Sequence, residues 1–140
     1  MDSTLWAKMH GATTHFPLAL VLVSAGCDFV GFFLGDRPAA RDFQATGYWT
    51  ILGGALGSVP AVFSGLVMTK GSVLGHGALR WHHLFVWPAF ALLVALATWR
   101  VSIGRRATRP MFRGYLVVVG VASALISVAG YWGGELMIAR

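Results

Sequence analysis

Charge is scarce in this chain and acid most of all: of 140 residues only 11% are charged, with five Asp and Glu against eleven Lys and Arg. So little charge excludes the acidic and basic tails and the solvated surface of an ordinary soluble domain. One cysteine, Cys27, excludes an intramolecular disulfide and any thiolate cluster, and is expected to be a small core residue. Neither HExxH nor CxxC occurs, so the usual zinc spacings are missing. There is no low-complexity tract and no repeat of a soluble type. A basic stretch ahead of the first apolar run is also lacking, and that run carries Cys27 and Asp28 where a small-residue cleavage site would stand, which argues against a cleavable signal peptide.

What the chain has instead is apolar surface. Hydrophobic residues make up 56% and mean hydropathy is +0.68. A helix needs roughly 20 apolar residues to cross the hydrocarbon of a bilayer. Four such runs lie near residues 15–34, 47–68, 82–103 and 114–138. The expected fold is all-α, one integral membrane four-helix bundle occupying residues 1–140 as a single domain.

Basic residues orient it. Four crossings put both termini and the 69–80 loop on one face, with Lys8, Lys70, Arg80 and Arg140. The opposite face receives Arg37, Arg41, Arg100, Arg105, Arg106, Arg109 and Arg113. The Arg100–Arg113 cluster contains no acid, a positive-inside signal that turns both termini outward, to the periplasm of a bacterial inner membrane. The net charge of +6 is then a topology signal set against lipid, and a nucleic-acid footprint is not expected.

All five histidines fall toward that outer face. His10 and His15 precede or open the first helix, His76 lies in a loop, and His82 and His83 open the third. Helices one and three start on the same side, so their histidines share a depth. A metal or haem between two helices takes one imidazole from each. At about 100° per residue, His10 and His15 are separated by roughly 140° and His82 and His83 by roughly 100°, so one member of each pair points inward. His15 is the expected member, being deeper; His82 and His83 remain equal alternatives. His10 is left to the interface, to a propionate or to a second centre. The competing expectation is that these are ordinary interfacial imidazoles.

Small residues form two stripes. Gly120, Ser123, Ser127, Gly130 and Gly134 mark the fourth helix, and Gly54, Ser58, Ala61 and Gly65 the second, where Gly53 and Gly57 make a GxxxG. Close helix packing accounts for both, and room for a flat macrocycle is the functional alternative. Ionisable residues in apolar runs are functional candidates. Asp28 is expected to pair with Arg100 or Arg37 or to relay protons. Glu135 is expected to cap, to pair with Lys70 or Arg80, or to orient a ligand histidine. Lys70 and Arg80 are also candidate partners for haem propionates. Trp81, Trp87 and Trp132 read as interface and packing aromatics.

The HxxxxHFP motif of His10–Pro17, the histidine opening the third helix and the closing GGEL of Gly133–Leu136 resemble the small bacterial four-helix membrane proteins catalogued as domain of unknown function 2231. The double histidine departs from the single one expected there. The resemblance implies company with Rieske and c-type cytochrome modules and electron transfer through b-type haem. The leading expectation is therefore a haem b membrane anchor, with one haem or two and no catalysis of its own. It would relay electrons between a c-type cytochrome, Rieske protein or periplasmic dehydrogenase and quinone or another subunit. A cofactor-free structural anchor is the alternative. A metal-handling transporter is the third reading, and no line of polar residues joins His15 to Asp28 to favour it.

Overall fold

The structure, a computed structural model, describes residues 3–138; Arg140, counted above with the outer-face cations, lies outside them. Four long helices follow in order: α1, Ser3–Leu34; α2, Pro38–Met68; α3, Ala78–Ile103; and α4, Arg109–Ile138, with a single 3-10 turn, Gly104–Arg106, between the last two. Each is long and apolar enough to cross a membrane. Every helix begins ahead of its apolar run, α1 by twelve residues at its N-terminal side. Hydropathy marks the part that needs lipid, whereas backbone hydrogen bonding continues into the polar turns beyond it.

The breaks between helices have local causes. Gly35, at φ +62, ends α1, and Pro38 at the first turn of α2 needs no amide donor there. At the end of α2, Lys70 N–H donates to Val67 O (3.1 Å) and Gly71 N–H to Leu66 O (2.8 Å), a Schellman closure with Lys70 itself left-handed at φ +53. Pro17, Pro60 and Pro88 sit inside helices, as membrane-spanning helices tolerate.

α1 packs along α2 and α3 along α4, and the two hairpins close a square through α1–α4 and α2–α3 contacts. Thus α1 and α3 face each other across the diagonal. One buried residue from each helix, Val21, Ile51, Leu93 and Val119, fills the middle. Outside that layer the bundle is apolar: Phe33 is 80% exposed and Leu56 74%. Such a surface is inverted for water and suited to lipid.

The small-residue stripes behave differently from each other. Gly54, Ser58 and Ala61 on α2 are buried. A Cβ at Gly54 would stand 3.1 Å from Val21 and one at Gly57 3.1 Å from Phe16, so this stripe is where α1 comes close. The α4 stripe is not packed this way: Gly120 and Gly134 have nothing within 4 Å, and Ser127, Gly130 and Gly134 border a cavity.

At the arginine-rich end a polar knot joins all four helices. Arg100 Nη2 of α3 lies 3.1 Å from Asp28 Oδ1 of α1 and donates to Gln44 O of α2 at 2.7 Å. Tyr115 of α4 donates its phenol proton to Asp28 Oδ2 at 3.0 Å, and Ser24 donates to Gly47 O at 2.8 Å. Asp28 is fully buried and Arg100 is 5% exposed, with its guanidinium 5.1 Å over Tyr115 and 5.4 Å over Phe112. Gly47 makes the approach feasible, because a Cβ there would collide with the Asp28 carboxylate. Of the two sequence-based partners for Asp28, the structure selects Arg100.

Candidate functional site

A cavity of about 880 Å³ opens at the other end of the bundle, between the starts of α1 and α3 and the ends of α2 and α4. His10, His15, His82 and His83 all line it, and His76 does not. The four are not equivalent. His10 reaches across to α2, where its Nδ1 lies 3.0 Å from Ala61 O and 3.2 Å from Ser64 Oγ. His82 reaches across to α4, where its Nδ1 lies 2.8 Å from Ala129 O. A carbonyl can only accept, so Nδ1 carries the proton in both rings and Nε2 is left as the free lone pair.

These two rings also face each other over the diagonal, with centres 6.5 Å apart and planes at 84°. Their seating is built from glycine. A Cβ at Gly65 would come within 3.0 Å of His10 Cε1, and one at Gly133 within 3.4 Å of His82 Cε1 and Nδ1. Each imidazole therefore lies on backbone that has no side chain, tied to the helix adjacent to its own.

The helix period explains why His10 and His82 turn inward. His10 precedes Asp28 by 18 residues and His82 precedes Arg100 by 18. Five turns of 3.6 residues bring each histidine onto the same face as its charged partner, about 27 Å along the axis. Since Asp28 and Arg100 meet at the centre of one end, His10 and His82 must converge at the other. Depth had favoured His15, but α1 begins at Ser3 and already has two turns behind His10, while His15 is rotated away and exposed at the cavity's edge. The 18-residue spacing was present in the sequence and is the signal that distinguishes the inward pair.

His83 is 6% exposed, and its Nδ1 has no hydrogen-bond partner among the described residues. Lys70 and Arg80 are exposed at this end and do not line the cavity, and Glu135 is half-buried and forms no ion pair among the described residues. Trp81 stacks on Trp132 with centres 6.0 Å apart, and Trp87 Nε1 donates to Val73 O at 2.8 Å, pinning the α2–α3 connection.

Among the described residues no three His, Cys, Asp or Glu side chains are grouped to hold a metal ion. A convergent pair of neutral imidazoles suits a different case, a metal whose remaining ligands come from a macrocycle. His10 and His82, with ring centres 6.5 Å apart, are the residues that would hold such a metal.

Fold and cavity together define a multi-pass membrane four-helix bundle with paired histidines on its diagonal helices. The chain belongs to the family described as Predicted membrane protein (DUF2231), which matches residues 7–139. No curated protein and no solved structure matches it significantly.

Proposed function

We propose that the bundle is an electron-transfer subunit that carries one b-type haem between His10 and His82. The observation that supports this most directly is the diagonal pair itself: two Nδ1–H groups committed to backbone carbonyls, two free Nε2 atoms and a 6.5 Å ring separation. A haem held there supplies one-electron chemistry between ferric and ferrous iron. The chain's own part is to fix both imidazoles in one tautomer and, at Gly130 and Gly134, to leave the cavity wall without side chains. Lys70 and Arg80, exposed at the same end of the bundle and outside the cavity lining, are the counter-charges for two propionates that reach the surface.

With the arginine-rich loop on the cytoplasmic side of a bacterial inner membrane, the cavity faces the periplasm. Electrons then pass between a partner docked there, of the c-type cytochrome, Rieske or dehydrogenase kind, and a carrier within the membrane. Catalysis stays with the partner.

Haem content of purified variants tests the assignment. His10→Ala and His82→Ala are expected to lose haem while keeping the helical circular dichroism of the parent, and His76→Ala is expected to keep it. Full haem in His10→Ala and loss in His15→Ala would return the axial role to His15. Full haem in all three would remove the histidine pair from the account.

A further inference from the structure

His83 is not explained by the axial pair. Leaving a buried hydrogen-bonding group unpaired costs about 1–3 kcal/mol, so the unpaired Nδ1 bears on which ring nitrogen of His83 holds the proton. The ring is sealed by protein at Nδ1 and lines the cavity, so Nε2 is the edge that meets open volume. A neutral imidazole carries one proton, and a dry, unpaired N–H is rarer than a dry, unpaired acceptor. The proton therefore sits on Nε2, and His83 presents a donor to the cavity.

His83 follows His82 by one residue, a turn of about 100° around α3. His82 is committed to Ala129 of α4. Trp87, one helical turn beyond His83, shares the His83 face, with ring centres 6.2 Å apart, and bonds to Val73 of the α2–α3 connection. Leu66, Met68 and Phe90 line the same cavity. Among the described residues no Lys or Arg lines the cavity, so a carboxylate held beside His83, away from the surface, would be buried without a counter-charge. What fits is a neutral, flat, mainly apolar molecule with an accepting oxygen.

We infer that His83 donates a hydrogen bond to the ring oxygen of an isoprenoid quinone, whose ring lies against Trp87 and Phe90. This rests on the electron-transfer reading and names its membrane carrier.

The test is photolabelling of the full chain in lipid nanodiscs with an azidoquinone, competed by decylubiquinone and mapped by peptide mass spectrometry. Labelling is expected in the peptides holding His83–Phe90 and Leu66–Thr69. His83→Leu is expected to raise the half-competing decylubiquinone concentration ~tenfold, the equivalent of one lost hydrogen bond. His83→Gln, which keeps an N–H donor, is expected to stay near the parent, and both variants to keep their haem content. Labelling confined to the outer lipid-facing surface, or unaltered competition in His83→Leu, would overturn the site. So would loss of haem in both variants, which would make His83 part of the haem pocket. Competed labelling of a colourless protein would uphold the quinone site and remove the haem reading, so the two can fail separately.

Discussion

Asp28 and Arg100 are the most expensive residues in the bundle, a full ion pair withdrawn from water in a segment that lipid surrounds. Removing one partner strands the other. Asp28→Leu and Arg100→Leu are each expected to cost about 3–5 kcal/mol. The double variant is expected to recover much of that loss, because two apolar side chains need no partner. Thermal unfolding in detergent measures all three, and additive losses would show that the pair has no mutual dependence. At the opposite end, Ser64 braces His10 through Nδ1. Ser64→Ala is expected to weaken haem retention by about 10-fold, the lower figure for loss of a bond that orients a metal-bound histidine, as read by haem transfer to apomyoglobin.

At the scale of the helix, glycine has two jobs here that one substitution separates. Gly120 faces open space, so Gly120→Ala is expected to stabilise α4 by about 0.5–1 kcal/mol through helix propensity alone. Gly54 faces Val21 at close range, and Gly54→Val is expected to push α1 from α2 and to lower the unfolding temperature. The sequence displayed both stripes at the same spacing and could not tell them apart, since which stripe is packed depends on the neighbour it meets. The four helices were legible from hydropathy, and their polar first turns were not, because those turns lie beyond the apolar runs. On α1 depth points to His15, which is exposed at the cavity's edge, whereas the 18-residue register with Asp28 points to His10, which reaches across to α2. The same register with Arg100 separates His82 from His83, whereas the carbonyl that His82 meets depends on which side α4 lies.

For the whole molecule, the two polar sites divide the labour. The knot of Asp28, Arg100, Tyr115 and Gln44 ties all four helices together at one end, and the diagonal histidines hold a cavity at the other. The proposed orientation rests on the arginines. In a chain with Cys27 replaced by Ala, a cysteine introduced at Val73 is expected to react with an impermeant maleimide from the periplasmic side, and one at Ala107 only after the membrane is opened. The reverse pattern would invert the bundle and move the cavity to the cytoplasm.

The central claim is that the diagonal histidines carry haem. The most direct measurement is the dithionite-reduced minus oxidised optical spectrum of the full chain purified from haem-replete cells, with a pyridine haemochrome assay on the same sample. The account predicts a low-spin b-type spectrum with one haem per chain. A correctly folded protein that is colourless, with its native partners still attached, would contradict it.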